Sequence, residues 1–431
     1  MLNSLLFISI LAAPNGPLSE TVHAHLEQHR ALYRKLHQHP ELAFHEVETS
    51  RRLAYELETL GFVVTRGIGG HGVVGLLHNG AGPTVMLRTD MDALPLVEKT
   101  GLPFASTVVV GEGNARTGVM HACGHDMHMA VWLGVATALV RHKDLWRGTL
   151  MMVGQPAEET GPGAEAMLKD GLFKRFGTPD AALAYHVSAE LPAGSIGYGP
   201  GPFFAGVESV DITVVGVGGH GAMPHRTIDP IVLASRMVLA FQTIVSRELD
   251  PTEPAVVTIG SIHGGTTHNI VPDEVTMQLT VRYYSDGVHA QILESIRRIS
   301  AGIARSAGLP ESKTPKVVGH GEVAAPLVND ETLTQRVAAS FADTLGQDKV
   351  VRTPPVTTGE DFAYYGRTPE RVPISLFWLG SVEPSAYGRQ QKKKTPLPSL
   401  HHPGFHPDFD LTYETGVTAM AAAVIELCPL K

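Results

Sequence analysis

The amino-acid sequence predicts an α/β protein: a three-layer α/β/α domain interrupted by a smaller inserted α+β sandwich of ferredoxin-like type. Three observations predict it. Short aliphatic runs bounded by Gly and Pro alternate with runs of helical spacing across residues 19–206, as in a sheet covered by helices. Between 207 and 317 the texture changes to period-two strands, in the order strand, helix, strand, strand, helix, with a closing strand near Lys316. At 431 residues, 43% of them apolar, the chain can bury two cores.

The elements follow in order. Residues 1–18 begin with an apolar stretch, Leu5 to Ala13, too short to span a bilayer and of the length of a signal h-region, though without a basic n-region. Two readings stand: an export signal, which would make the protein periplasmic or secreted, or an apolar segment packed on a neighbour in a cytoplasmic protein. No other stretch is long and apolar enough for a membrane span, so no membrane partner is expected. From Ser19 to Leu60, Leu32, Leu36, Ala54, Leu57 and Leu60 recur at helical spacing and Pro40 interrupts them, giving two helices joined at "HQHPELAF". "GVVGLLHN" and "TVMLRTDMDALP" read as buried strands, Met127 to His142 as a helix, and "GTLMMVGQP" as the next strand.

The Gly/Pro-rich "YGPGP" at 198–202 marks a hinge into the inserted domain, assigned to 207–317. "ESVDITVVGVG", "AVVTIGSIHGG" and "EVTMQLTVRYY" are its strands; "PIVLASRMVLAFQTIV" and "HAQILESIRRISAGIARSAG" are its helices. The larger domain, 19–206, resumes at 318–431 and ends in a helix from about Tyr413. "SVEPSAYGRQQKKKTPLPS" at 381–399 reads as a mobile loop.

Composition excludes some functions. With 34 basic against 43 acidic side chains the net charge is −9, and "QKKK" at 391–394 is the longest basic run, so nucleic acid is not an expected partner. The two cysteines, Cys123 and Cys428, are far apart in sequence and read as free thiols rather than a disulfide framework.

The densest chemistry lies in "GVMHACGHDMHMAVW", Gly118 to Trp132. On a helix, Cys123 and His125 would point about 200° apart, so they share one ion only if the backbone there turns. Asp126, ahead of an apolar run, suits a helix N-cap and leaves "ACGH" as a chelating turn. Other metal-binding residue types sit at strand ends: Asp90 and Asp92 in "DMDALP", Glu158 and Glu159 in "GQPAEE", His186 in "ALAYHVS". Extended backbone would point Glu158 and Glu159 opposite ways, one toward metal and one toward water. Each motif alone reads as well as a solvated acid or a core histidine; five together do not.

In sequence order, "RTDMDALP", "MHACGHD", "GQPAEE", "AYHVS", "GGHGAMPH", "HNIVPDEV", "TTGEDFAYY" and "LHHPGF" resemble the aminoacylase/carboxypeptidase-type metalloamidohydrolases of clan MH. More narrowly they look like the hippurate hydrolases, N-acetyl-amino-acid deacetylases and indoleacetyl-amino-acid hydrolases. The resemblance implies two divalent metal ions per subunit, zinc or manganese first and cobalt or nickel also allowed, held by Cys123, His125, Glu159, His186 and His401, with Cys123 bridging. It implies Glu158 as general base on a metal-bound water and Asp92 behind the ligands. His220 would stabilise the oxyanion from the inserted domain of a second subunit, and Asn269 and Arg282 would hold the substrate carboxylate. Asp90 occupies the position where the wider clan has a histidine. His402 is the alternative to His401; His121 and His128 are surroundings; His37, His39, His45 and His225 are structural; Glu360 has no assigned role.

The function implied is hydrolysis of the amide bond of an N-acyl amino acid or a dipeptide-like substrate, by a homodimer joined through the inserted lid domain. Two rivals remain: a hydrolase using Cys123 as nucleophile with His125 as base, and a non-catalytic ligand-binding relative.

Overall fold

The computed structural model describes residues 16–394 and 396–430. The chain divides into two compact units, one of Met1–Gly201, Val328–Pro354 and Asp361–Lys431, the other of Pro202–Leu327 and Pro355–Glu360. Most of the expected signal segment, residues 1–15, lies outside the described residues. Leu18 belongs to the core of the first unit, one residue into the helix Pro17–Gln38.

The first unit is built on an eight-stranded mixed sheet. Its spatial order is Val63–Ile68, Gly72–Asn79, Gly148–Gln155, Thr84–Asp90, Ala181–Pro192, Ile374–Val382, Ile196–Tyr198, Val350–Arg352. The four strands from Gly148–Gln155 to Ile374–Val382 are parallel. Both their faces are covered, which is why they read as near-continuous apolar runs. On one face Val85, Leu87, Leu150, Met152, Leu183 and Tyr185 share a core with the helices Pro17–Gln38, His125–Arg141 and Phe409–Leu427. On the other, reached by the alternate residues, Tyr365 of the short helix Ala363–Gly366 donates from Oη to Gln155 Oε1 at 3.0 Å. The three layers are those expected, with the second helical layer made of short helices.

The helix His125–Arg141 is buried from His125 to Leu139. It lies between the sheet and two other helices, so it needs apolar residues all round instead of one stripe. Gly134 permits the close approach: a Cβ there would meet Val417 Cγ2 at 2.5 Å and Tyr413 Oη at 2.8 Å.

The strand Val63–Ile68, antiparallel to Gly72–Asn79, is an edge strand with exposed residues and no continuous apolar run. Two local expectations are corrected. The stretch 381–399 contains the helix Pro384–Lys393, with Pro384 preset for the first turn and Glu383 accepting from the amides of Ser385 and Ala386. The C-terminal helix starts at Phe409, where Asp408 accepts the Leu411 amide at 3.1 Å.

The second unit carries a four-stranded antiparallel sheet ordered Val256–His263, Glu274–Tyr283, Gly206–Val215, Lys316–Ala324. The helices Pro230–Thr243 and Asp286–Ser306 share its core, which includes Val275, Met277, Leu279 and Val281 of one strand. Those residues alternate with solvated neighbours, the period-two pattern of a sheet covered on one face.

Candidate metal centre

Several segments of the first unit converge where its parallel strands end. Asp90 closes the strand Thr84–Asp90, and Glu158 and Glu159 follow the strand Gly148–Gln155. Cys123 precedes Gly124, whose φ of +80° turns the backbone into the helix that begins at His125. A Cβ on Gly124 would meet Val187 Cγ2 at 2.5 Å, so the turn is both left-handed and tightly packed. His401 is itself left-handed, at φ +62°, with its amide bonded to the Ala122 carbonyl at 2.9 Å.

The donor atoms of these residues approach one another. Cys123 Sγ lies 3.4 Å from His186 Nε2 and 3.2 Å from His401 Nε2. His401 Nε2 lies 3.4 Å from Glu159 Oε2. His125 Nε2 faces Asp90 Oδ2 at 3.8 Å, Glu158 Oε2 at 3.9 Å and Glu159 Oε1 at 3.8 Å. Among the groups of described residues that could hold an ion are Cys123–His125–His186, Cys123–Glu159–His401, His125–Glu158–Glu159 and Asp90–His125–His128, each with its donor atoms within 4.8 Å of one another.

Three expectations change here. Asp126 is not the N-cap, since the helix starts one residue earlier; its Oδ2 instead pairs with His37 Nδ1 at 2.7 Å. Glu158 and Glu159 do not diverge, because Ala157, at φ +52°, turns the chain and brings both carboxylates to one nitrogen of His125. His186 does not end its strand, which runs to Pro192. Pairing with the strand Thr84–Asp90 stops at Arg88 opposite Ala184, two residues before His186, while on its other side His186 is paired with Trp378.

Hydrogen bonds set which nitrogens are available. His125 Nδ1 donates to the Asp92 carbonyl at 2.8 Å, and His186 Nδ1 donates to the Val187 carbonyl at 2.9 Å. In both neutral rings Nε2 then carries the lone pair. His128 is different: its Nδ1 binds Asp90 Oδ1 at 2.7 Å and its Nε2 accepts the Val187 amide at 2.8 Å, so both nitrogens are used. His121 is buried and makes no side-chain hydrogen bond among the described residues. His402, exposed, uses Nδ1 to accept the Gly404 amide at 3.0 Å.

The residues fit a divalent ion. Asp92 Oδ1, His125 Nε2 and Glu159 Oε1 are buried without a hydrogen-bonding partner among the described residues, an arrangement that folded proteins otherwise avoid. The neighbours of His125 Nε2 and Glu159 Oε1 stand 3.8–3.9 Å off, too far for good hydrogen bonds. Such separations suit two ligands that each lie about 2.0–2.2 Å from a shared ion. Thiol, imidazole and carboxylate donors together match zinc and other first-row metals.

Electrostatics agree with that chemistry. Burial opposes charge on His125, yet Asp90, Asp92 and Cys123 raise its pKa well above the usual imidazole value, so the site attracts a cation. Burial, reinforced by His128, holds His186 well below it. Burial pushes Glu159 up to about 7, with Asp92 and Asp90 adding repulsion and His125 opposing it. Burial and the Glu159 charge raise the Cys123 thiol well above its usual range. A thiol so placed is a poor free nucleophile.

Two buried clusters that sequence reading missed support these residues. Arg88 donates to Asp90 Oδ2 at 2.7 Å, Gln155 Oε1 at 2.9 Å and Asp361 Oδ1 at 2.9 Å. His37 lies between Asp126 and Glu98 Oε1, the latter at 3.0 Å. The "RTD" and "GED" motifs contain Arg88 and Asp361, but only the fold shows that they pair. Asp92 Oδ2 also accepts the Glu159 amide at 2.9 Å.

His220, Asn269 and Arg282 belong to the second unit. His220 pairs with Ile270 across a two-residue ladder, next to Asn269, whose carbonyl accepts the Gly221 amide at 2.8 Å. His220 Nδ1 accepts the Ala222 amide at 3.0 Å, which leaves Nε2 as the proton-bearing donor of the neutral ring. Arg282 lies in the four-stranded sheet, opposite Val207 and Val256, and is half-buried. Glu360, the last residue of that unit's return segment, is buried.

Comparison with known proteins matches residues 86–401 to peptidase family M20/M25/M40. An N-acetyl-L-cysteine deacetylase of Bacillus subtilis is 36% identical over 81% of this chain and 79% of its own. An IAA-amino acid hydrolase of Arabidopsis thaliana is 36% identical over 78% and 73%. The crystal structure of a dinuclear metal-binding peptidase from Bacillus subtilis superposes with a TM-score of 0.76 at 29% identity, covering 94% of this chain and 98% of that one.

Proposed function

The chain belongs to peptidase family M20/M25/M40, metal-dependent hydrolases acting on amide bonds, and from that premise we propose that it removes the acyl group from the amino nitrogen of an N-acyl amino acid. A dipeptide-like substrate of the same shape would be handled alike. Two bound divalent ions, zinc or manganese foremost, would polarise the scissile carbonyl and lower the pKa of water in the site. Cys123, His125, Glu159, His186 and His401 would hold them; Cys123 Sγ lies within 3.4 Å of His186 Nε2 and 3.2 Å of His401 Nε2, which supports this set.

The remaining residues do the proton and positioning work. Glu158 accepts the proton of the attacking water and passes it to the departing amine. Asp92 fixes two ligands at once: its carbonyl sets the His125 tautomer and its carboxylate holds the Glu159 amide. His220 Nε2 donates to the tetrahedral oxyanion, supplied by the second copy of a homodimer. Arg282 and Asn269 bind the substrate carboxylate, for which a guanidinium fork is well shaped.

His125 Nε2 and Glu159 Oε1, buried without a hydrogen-bonding partner among the described residues, carry this reading. A Cys123 nucleophile is disfavoured because burial raises its thiol well above the usual range and its Sγ faces His186 and His401. A hydrolysis panel of N-acyl amino acids and dipeptides, with zinc, manganese, cobalt and nickel supplied separately, tests the reading. Turnover should require a metal, and Glu158→Gln should lower kcat by about 10²–10⁴-fold with metal content unchanged. Activity that survives complete metal removal would refute it, as would an undiminished Glu158→Gln variant; sedimentation tests the dimer.

A further inference from the structure

Glu46 occupies the N-cap of the helix Val47–Thr59, yet its side chain makes no cap bond to that helix. Its carboxylate is fully buried and reaches across 111 residues of sequence: Oε1 accepts the Ala157 amide at 2.8 Å and the Phe44 amide at 3.0 Å. Both donors are non-glycine residues in the left-handed region, Ala157 at φ +52° and Phe44 at φ +59°. A side chain makes that conformation costly, and it persists where surrounding contacts enforce it. Ala157 is the residue whose turn brings Glu158 and Glu159 together at His125.

We propose that Glu46 is a positioning residue for the Glu158–Glu159 pair, clamping Ala157 in the left-handed turn from which both carboxylates reach His125. The inference rests on the metal-hydrolase reading of the site. The second oxygen of Glu46, Oε2, has no hydrogen-bonding partner among the described residues, so Oε1 alone makes the clamp. Burial, against the amide hydrogen bonds and with the Asp92 charge, raises its carboxyl to about 7.

The test uses the full chain with zinc, and reads metal affinity by competition with a chromogenic chelator, together with kcat and KM on the best substrate of the panel. Glu46→Ala should weaken zinc binding and lower kcat, each by about 10–100-fold, the range seen when outer supports of metal ligands are removed. KM should move less than about threefold, because the substrate contacts are untouched. Glu46→Gln, which keeps one acceptor oxygen, should lose less than Glu46→Ala on both readouts, since a neutral acceptor keeps part of the strength of a charged one. Adding Ala157→Gly to Glu46→Ala should restore most of the zinc affinity, because glycine adopts φ +52° without the steric penalty. If Glu46→Ala does not fold, Glu46→Asp, shorter by a methylene, takes its place. Wild-type affinity and kcat in a folded Glu46→Ala or Glu46→Asp variant, or no rescue by Ala157→Gly, overturns the clamp alone. A wild-type protein that binds no divalent ion overturns the metal reading and the clamp with it.

Discussion

Glu159 Oε1 lies 3.8 Å from His125 Nε2, and neither atom has a hydrogen-bonding partner among the described residues. Around them Asp90, Asp92 and Glu158 add negative charge in a buried space. An ion between these groups satisfies the orphaned atoms and cancels the repulsion, so metal binding is linked to folding. Protein stripped with a chelator should melt several degrees below protein reloaded with zinc. At a free zinc concentration of 100 Kd the stabilisation is about 2.7 kcal/mol. Scanning calorimetry of the two forms checks this, and coincident transitions would count against an ion there.

His401 and His402 are adjacent but face different partners, Cys123 and Glu159 for the first, the Gly404 amide for the second. His401→Ala should weaken zinc binding by at least about 10–100-fold, the effect of losing even an outer support. His402→Ala should change it little. Equilibrium dialysis of both variants decides between them, and the reverse order would reassign the last ligand.

The buried His37 imidazole is held between Asp126 and Glu98. Burial opposes its charge, but the hydrogen bonds and charges of the two carboxylates prevail and raise its pKa to about 10. A folded-state pKa above the unfolded value of about 6.5 gives stability that is fully present below pH ~6.5 and lost as pH rises toward 10. The stability difference between wild type and His37→Gln should therefore shrink across that window. Denaturant titrations from pH 6 to 10 would show it; a constant difference would mean that His37 is neutral throughout.

Arg88 and Asp361 are both fully buried, 2.9 Å apart, and Asp361 also accepts from Gln155 Nε2 at 2.7 Å and the Ala164 amide at 2.9 Å. Asp90 would remain as a carboxylate partner of Arg88, but the buried Gln155 and Ala164 donors would lose their acceptor, so Asp361→Ala should destabilise the first unit by about 1–3 kcal/mol. Arg88→Met combined with Asp361→Leu should cost less than the sum of the single changes. Urea unfolding of the three variants measures the coupling, and strict additivity would argue that the pair is not a pair.

Much of this was legible from the chain alone. The strands "GVVGLLHN" and "GTLMMVGQ" were bounded by their turns, and the residues of the metal cluster were all singled out as motifs. The misreadings have local causes. Local sequence makes Asp126 an N-cap candidate because it shows the neighbours of Asp126 and not His37, 89 positions away, which pairs with its carboxylate. Glu158 and Glu159 were expected to diverge because no glycine announced a left-handed turn at Ala157. The helix Pro384–Lys393 was passed over because its polar sequence has no apolar stripe, although Glu383 and Pro384 start it.

The linear order of residues was enough to establish the two kinds of layer, the runs that must be buried and the donor types near the strand ends, because periodicity and residue chemistry are local properties. The folded chain decided the rest. It brought His401 to Cys123 across 278 positions and put Arg88 on Asp361 across 273. It consumed both nitrogens of His128 while leaving Nε2 of His125 without a hydrogen-bonding partner among the described residues. Ligand and bystander histidines are the same residue type with the same local neighbours; only long-range packing determines which nitrogen is already bonded and which still lacks one.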